Sequence, residues 1–260
     1  MRPPYGKDYA PFTGHGFTPP RIREDIIFQL DSDGKVLREI SVFDIMKQNN
    51  MESILSANGQ KMDKDFKLGD GGELVHLNKV AVLSARNAAR FPDFDEGDLL
   101  LSMRTHNLLM VVDPNDLIVK WHQIGPWLRQ HNPIFEDDGT ISVFNNNGIL
   151  AELDIDQAPV GTLLRSAIMR FAPALKTVET VYGNRPGQKF GTIVRGRHET
   201  TPGGGYIISE FEGGRAFEVD RNGVLIWEYV NAYDAERVAE ITGAAVYPPS
   251  YFSSTKLECS

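Results

Sequence analysis

Short runs rich in β-branched and aromatic residues recur along the chain, and most come in pairs separated by a polar turn. The clearest pair joins residues 26–30 to residues 35–40 across the turn 31–34, whose letters are DSDG. Asp and Gly suit the special backbone angles of tight hairpins, so this pattern predicts β-hairpins. Three further pairs follow, and their turns lie at residues 113–116, 172–173 and 220–223.

Three of the four pairs have another β-rich run just upstream, at residues 99–103, 140–144 and 206–210. Units of three or four antiparallel strands, spaced roughly 45 to 80 residues apart, are typical of propeller blades. A β-sandwich is the alternative, but it gives no reason for such a unit to repeat. We therefore predict an all-β protein of the β-propeller kind, with residues 1–260 forming a single domain.

Two segments interrupt this repeat. Residues 41–58 place Val42, Ile45 and Met46 on one side of a helix, which predicts a helical insertion between blades, and residues 86–94 form a shorter insertion. The C-terminal tail, about residues 231–260, contains another helix candidate at 232–241. Propellers close with four to eight blades and only four units are recognisable, so we expect a partial or reduced propeller.

Charge and composition narrow the possible partners. The chain carries 35 acidic and 27 basic side chains, a net charge of −8, which argues against nucleic acid or an anionic membrane as partner. No run approaches the roughly 18 apolar residues that span a bilayer, and residues 1–20 lack the apolar centre of a signal peptide. The single cysteine, Cys259, cannot form a disulfide or a cysteine-based metal site within one chain.

Candidate ligand-binding residues lie where a blade's innermost strand begins, because that end faces the central channel of a propeller. His76 and Asn78 are two apart on a predicted strand and would share one face. His131 follows Arg129 and Gln130 just before the next strand. Arg104 follows an apolar run in which alternation does not predict a cation.

These residues lie in strings that resemble the bacterial arylsulfotransferase (aryl-sulfate sulfotransferase) family. The resemblance covers about residues 25–252, and its strongest part runs from Gln130 to Gly148. It implies a six-bladed propeller that moves a sulfuryl group from one phenol to another through a sulfated histidine, independently of the nucleotide donor PAPS. The strings are HLNKVAVL, DLLLSMRTHNLLMVVDP, WHQIGPWLRQHNPIFEDDGTISVFNNNG and GGRAFEVDRNGVLIWEYVN.

Site roles follow from the resemblance, residue by residue. His131 matches the family's histidine nucleophile, and Arg104 matches the strand arginine that neutralises the sulfate. His76 and Asn78 match the pair that holds the sulfuryl oxygens or the phenol. These are the donors that a transferring sulfuryl group needs, since its oxygens carry negative charge, and a neutral imidazole is a competent nucleophile near neutral pH.

Weaker assignments complete the predicted site. Thr192 matches a family threonine through a loose motif, and Trp127 either lines a phenol pocket or anchors blade packing. A further upstream histidine of the family has no clear counterpart except His15. No acidic or histidine residues accompany His76 and His131 at familiar ligand spacing, so we expect no metal and no other cofactor. The remaining histidines, which we interpret as structural or surface groups, are His106, His122 and His198.

Three function classes therefore remain at the level of sequence. The first is an arylsulfotransferase acting on a small aryl sulfate and a phenol, periplasmic or secreted if it follows its family. The second is a non-catalytic propeller that serves as a binding or scaffold module, favoured by the low unit count and the missing histidine. The third, a metal-dependent hydrolase, has less support. A homodimer is left open.

Overall fold

The computed structural model describes residues 24–56, 75–147, 165–247 and 251. These residues form four antiparallel sheets and a few short helices, which confirms the all-β prediction. They group into two compact units, residues 1–129 and residues 130–260. His15, residues 57–58 of the predicted insertion and most of the tail beyond residue 247 lie outside the described residues.

The first unit contains a two-stranded sheet followed by a four-stranded sheet. In each sheet, consecutive strands along the chain are hydrogen-bonded neighbours. The two-stranded sheet is the first predicted hairpin. The four-stranded sheet contains the second predicted hairpin and the β-rich run predicted upstream of it. The strands are β1 Ile26–Leu30, β2 Val36–Ser41, β3 Leu77–Val82, β4 Leu99–Met103, β5 Leu108–Val112 and β6 Val119–Ile124.

The second unit repeats the four-stranded meander twice. Both sheets run from the first to the fourth strand by consecutive antiparallel pairing, and both predicted hairpins are present. The strands of the first sheet are β7 His131–Phe135, β8 Ile141–Asn145, β9 Ala167–Ala172 and β10 Thr177–Tyr182. Those of the second are β11 Arg197–Thr200, β12 Tyr206–Glu210, β13 Arg215–Val219 and β14 Leu225–Val230.

An aspartate at the end of the incoming strand organises the hairpin turns. The Asp31 carboxylate accepts from the amides of Asp33 (3.0 Å) and Lys35 (2.8 Å). Asp220 accepts from the amides of Asn222 and Val224, both at 2.8 Å. Such local bonds hold the turn in shape, and a glycine with positive φ completes each of these two turns.

Within residues 41–58 the described part contains helices, as the sequence predicts. Helix α1 spans Val42–Gln48 and α2 spans Glu52–Ser56; a third short helix, α3, spans Ala85–Ala88 inside the shorter insertion. Ser41 caps α1, its hydroxyl accepting from the Asp44 amide at 2.9 Å.

Asn49 ties the end of α1 to the turn between β5 and β6. Its Nδ2 donates to the carbonyls of Ile45 and Leu117, both at 2.8 Å, and its Oδ1 accepts from the Val119 amide at 2.9 Å. One side chain therefore satisfies a helix carbonyl and two backbone groups of a turn that is 68 to 70 residues away in sequence.

Asn49→Ala should lower the free energy of unfolding by about 2 kcal/mol, because the Leu117 carbonyl and the Val119 amide lose their bonds to the side chain. The Ile45 carbonyl keeps its bond from the Asn49 backbone amide. Lys47→Ala, at an exposed position of the same helix, is the matched control and should change it by less than about 0.5 kcal/mol. Chemical denaturation of both variants measures the difference. Equal stabilities would show that the link from Asn49 to the turn contributes nothing.

Each unit has its own apolar core. In the first unit, Ile40, Ile45 and Met46 pack with Leu101 and Met110, so the β1–β2 hairpin and α1 cover one face of the four-stranded sheet. The predicted apolar side of the helix is the buried one. This burial supplies the main stabilisation of the insertion, since each such side chain contributes about 1.5 to 3 kcal/mol when fully buried.

Aromatic rings join the two sheets of the second unit. Phe190 lies in the connection from β10 to β11, and its ring centroid is 5.6 Å from that of Phe144, 5.5 Å from that of Tyr182 and 5.8 Å from that of Phe217. The four rings belong to one buried cluster that includes residues of both sheets. The two meanders therefore pack on each other through their side chains.

The helix predicted at residues 232–241 is wrong. Ala232 instead forms an isolated β-bridge with Val238, and the Tyr233 amide donates to the Arg237 carbonyl at 2.9 Å. The Asp234 carboxylate accepts from the amides of Glu236 (3.0 Å) and Arg237 (2.8 Å), which holds the backbone in a tight loop. Such side-chain bonds compete with helix formation.

Candidate functional site

His131 is the first residue of β7 and is buried, with 9% of its surface exposed. Its Nδ1 lies 2.7 Å from Oδ1 of Asn146, just beyond the end of the neighbouring strand β8. The pairing of β7 with β8 shifts between His131 and Ile134, and Asn132 has a φ of 47°. Such a bulge redirects side chains and is common beside active sites.

Asn146 is itself held by the loop that precedes β11. Its Nδ2 donates to the Thr192 carbonyl at 3.0 Å and to the Arg195 carbonyl at 2.8 Å. Asn146 is the site residue that sequence reasoning missed. The quoted string FNNNG contains three consecutive asparagines, and nothing in the sequence shows which of them reaches the histidine.

Thr192 lies in that same loop, so the structure places it near His131 through Asn146. Its Oγ1 is 2.8 Å from the Val194 carbonyl and 2.9 Å from a carboxylate oxygen of Glu212. Its amide donates to the Ser166 hydroxyl at 3.1 Å. Two of the predicted residues, one of them assigned by a loose motif, therefore belong to one cluster in the second unit.

His76 and Arg104 meet in the first unit. The Arg104 amide donates to the His76 carbonyl at 3.1 Å, where the start of β3 lies beside the end of β4. Arg104 begins a single 3₁₀ turn, Arg104–His106, rather than continuing the strand. The turn explains why a cation follows the apolar run of β4, since the alternation of the strand has already ended.

Strand alternation does not place His76 and Asn78, contrary to the sequence argument. His76 precedes β3 and has a φ of 54°, and Asn78 occupies a bulge between Leu77 and Lys79. Alternation holds only where the backbone is continuously extended, and neither residue meets that condition.

Arg104 is buried, with 6% of its surface exposed. Its Nε has no hydrogen-bond partner among the residues that the structure describes. Asp98, an acidic residue six positions earlier in the chain, lies 2.9 Å from the Lys120 ammonium group. A buried guanidinium with an unmet donor is suited to bind an anion, because isolated buried charge is costly.

Trp127 is fully buried, and its Nε1 donates to the Asn107 carbonyl at 2.8 Å. Asn107 directly follows the turn that Arg104 begins, and its Oδ1 accepts from the Arg129 amide at 2.7 Å. This environment favours the packing-anchor interpretation of Trp127 over direct contact with a phenol.

An asparagine lies in a bulge near the start of the first strand of a four-stranded sheet in each unit. Asn78 follows His76 by two residues, and Asn132 directly follows His131. The Asn132 Oδ1 accepts from the His198 amide at 2.8 Å, which links β7 to β11. The two bulged asparagines therefore recur at similar places in their sheets, whereas His76 lies one residue before β3 and His131 is the first residue of β7.

A buried polar chain in the second unit was also missed. The Ser142 hydroxyl donates to Glu136 Oε1 at 2.6 Å and lies 2.7 Å from His198 Nε2. Because Ser142 has one hydrogen, Nε2 of His198 must donate to it. Burial, followed by the positive charges of Arg170 and Arg197, lowers the pKa of His198 to about 3.

The other two histidines fit the structural or surface interpretation. His106 is buried in the 3₁₀ turn; burial lowers its pKa, and the nearby Leu55 carbonyl opposes that shift. His122 is exposed on β6. Within the described ranges, no three His, Cys, Asp or Glu side chains group closely enough to hold a metal, and no helix there could cross a membrane.

Comparison with known proteins identifies the family. No curated protein is detectably similar to the chain. A crystal structure of a protein of unknown function from Bacteroides caccae matches 79% of this chain and 54% of its own, with 15% identity and a TM-score of 0.40, so this chain spans about half its length. The model of the family described as Arylsulfotransferase (ASST) matches residues 8–232, and the chain therefore belongs to the arylsulfotransferase family.

Proposed function

We propose that this protein transfers a sulfuryl group from an aryl sulfate ester to a phenolic acceptor, with His131 as the nucleophile. Family membership supports the reaction class. The observation that carries the residue assignment is the buried His131 imidazole, held at the bulged start of β7 by its 2.7 Å contact with Asn146. A nucleophile in a fixed orientation avoids the entropic cost of finding its reactive geometry.

The reaction proceeds in two displacements at sulfur. An imidazole nitrogen of His131 attacks the sulfur of the donor, the N–S bond forms, and the S–O bond to the aryl group breaks with its electron pair leaving on the phenolate. The acceptor phenol then attacks the same sulfur while the N–S bond breaks. The acceptor's proton passes to the medium or to a nearby base, and the free imidazole is restored.

Polar side chains of the first unit are proposed to bind the sulfuryl group as it is transferred. Arg104 neutralises the sulfuryl oxygens, consistent with its burial and its unmet Nε among the described residues. His76 and Asn78 donate to the same oxygens or to the phenol. Thr192 is assigned to substrate binding through the loop that also holds Asn146.

We further propose that the sheets are blades of one β-propeller domain. Three consecutive four-stranded meanders and one two-stranded hairpin fit a blade repeat better than an open sandwich. Within the second unit, the first strands of successive sheets lie side by side, as the bond from the His198 amide to Asn132 shows. In a β-propeller, the innermost strands of neighbouring blades also lie side by side.

Exposure to para-nitrophenyl sulfate without an acceptor should leave a covalent adduct of about 80 Da, the mass of one SO₃ group, on His131. The measurement is mass spectrometry of peptides prepared at neutral pH, because N-sulfated imidazoles hydrolyse in acid. The peptide that carries the exposed His122 is an internal control and should remain unmodified. Adding a phenol should remove the adduct and yield the sulfated phenol.

An adduct on another residue would contradict the nucleophile assignment. No adduct and no nitrophenolate release, combined with saturable binding of the donor, would contradict the enzyme and support a non-catalytic binding module.

A further inference from the structure

We infer that Asn146 is a positioning residue that holds the neutral His131 imidazole with its proton on Nδ1, so that Nε2 is the nitrogen that attacks sulfur. The inference deepens the proposed function and rests on it for the identity of the attacked atom. It depends on three contacts of one side chain, all within the second unit.

The surroundings of the Asn146 amide determine which of its terminal atoms is the nitrogen. One of its terminal atoms lies near two backbone carbonyl oxygens, those of Thr192 (3.0 Å) and Arg195 (2.8 Å). Carbonyl oxygens only accept hydrogen bonds, so this atom must be the NH₂ group, which has two hydrogens to donate. The opposite assignment would place three oxygens against one another. The other terminal atom is therefore Oδ1.

The orientation of the Asn146 amide determines the tautomer of His131. Oδ1 of Asn146 lies 2.7 Å from Nδ1 of His131, and an amide oxygen is an acceptor only. Nδ1 must therefore carry the proton. In a neutral imidazole only one ring nitrogen is protonated, so the lone pair lies on Nε2. The alternative tautomer would direct the Nδ1 lone pair at an amide oxygen inside a buried site, where water cannot relieve the repulsion.

The hydrogen bond between His131 and Asn146 strengthens during the proposed reaction. When Nε2 bonds to sulfur, the ring becomes cationic and retains its Nδ1 proton. The hydrogen bond to Asn146 is then charge-assisted and stronger than in the resting state. A contact that strengthens as the N–S bond forms lowers the barrier, whereas a contact of constant strength would not.

The tautomer can be measured in the unmodified protein, with no requirement for activity. Nitrogen-15 NMR of the labelled imidazoles distinguishes a protonated from an unprotonated ring nitrogen. At a pH where His131 is neutral, we expect its Nδ1 to be protonated and its Nε2 to be unprotonated. Protonation on Nε2 would overturn the inference directly.

Three variants separate positioning of the ring from support of the loop. Asn146→Ala removes both sets of contacts and should mix the His131 tautomers and reduce kcat roughly 10- to 100-fold, the effect typical of residues that orient a functional imidazole. Asn146→Asp keeps an acceptor for Nδ1 but places its second oxygen against the Thr192 and Arg195 carbonyls, which displaces the loop. It should retain the tautomer and recover only part of kcat.

Ser166→Ala is the matched control for the loop. Its hydroxyl accepts from the Thr192 amide at 3.1 Å and lies 3.4 Å from the backbone carbonyls of Thr192 and Asn146. The substitution therefore weakens the same loop but leaves the Asn146 side chain its contact with His131. We expect the tautomer to be unchanged and kcat to fall much less than in Asn146→Ala. Equal losses of kcat in the two variants, with an unchanged tautomer in both, would show that Asn146 acts only through the loop and would overturn the inference.

The two proposals fail differently. A protein that shows the predicted tautomer and its dependence on Asn146, but transfers no sulfuryl group, would contradict the proposed function alone. A protein that forms the adduct on His131 through Nδ1 would support the proposed function and overturn the role of Asn146.

Discussion

His131→Asn should reduce the release of nitrophenolate from para-nitrophenyl sulfate by at least about 1,000-fold, because it removes the nitrogen that would bond to sulfur. The substitution is chosen because it retains the hydrogen bond to Asn146. The Nδ2 of the new amide occupies nearly the position of the lost Nδ1 and can still donate to Asn146 Oδ1, which lies 2.7 Å from Nδ1 in the native protein. The surrounding loop therefore retains its anchor.

Two controls test whether a loss of turnover in this variant is caused by the loss of the nucleophile and not by unfolding. Its thermal unfolding should lie within a few degrees of the native protein, since the hydrogen bond is retained. His122→Asn, which replaces an exposed histidine of β6, should leave turnover unchanged. If His131→Asn released nitrophenolate at the native rate, His131 would not be the nucleophile, and the proposed mechanism would fail.

The second large effect is a loss of stability in acid, caused by the buried His198. Its Nε2–H donates to Ser142, and its Nδ1 has no hydrogen-bond partner among the described residues. Protonation would add a charge at Nδ1 with no acceptor, near Arg170 and Arg197. Burial and these two cations lower the pKa of His198 from 6.5 to about 3 in the folded protein.

The direction of the pH dependence follows from this lowered pKa. Between pH 6.5 and about 3 the unfolded chain binds a proton at His198 that the folded protein does not bind. The contribution to stability is complete above pH 6.5 and is lost as the pH falls through this range. The expected loss is about 2 kcal/mol by pH 5 and roughly twice that by pH 3.

His198→Gln isolates this contribution from the other histidines. The Nε2 of glutamine can still donate to Ser142, but the side chain does not titrate, so the free energy of unfolding should change less between pH 7 and pH 5. Chemical denaturation at a series of pH values measures the slope. His122→Gln should keep the native slope, and an unchanged slope in His198→Gln would show that His198 does not cause the acid lability.

The hairpins could be predicted because their signals are local. In β1–β2 and β13–β14, an aspartate binds amides two and four residues ahead, and a glycine supplies the positive φ. These contacts are complete within the turn, and no distant residue is needed to form them. The order of strands within each four-stranded meander follows, because each strand pairs with its neighbour along the chain.

The incorrect prediction of a helix at residues 232–241 also has a local cause. Its composition suits a helix, but the Asp234 carboxylate captures two backbone amides and a bridge pairs Ala232 with Val238. Propensity alone does not resolve such competition, because the helix and the loop satisfy the same amides.

His131 could be identified as a candidate from the sequence, but the residue that orients it, Asn146, could not. His131 stands in a recognisable string, whereas the contact of Asn146 with it spans 15 residues and the contacts of Asn146 with Thr192 and Arg195 span 46 and 49. The bulges at Asn78 and Asn132 likewise depend on the register between paired strands. The turns and the repeated strands are determined by residues that are close together in the sequence. The orientation of His131 and the burial of Arg104 and His198 arise only when distant segments pack, because hydrogen bonding and desolvation depend on what surrounds a group in space.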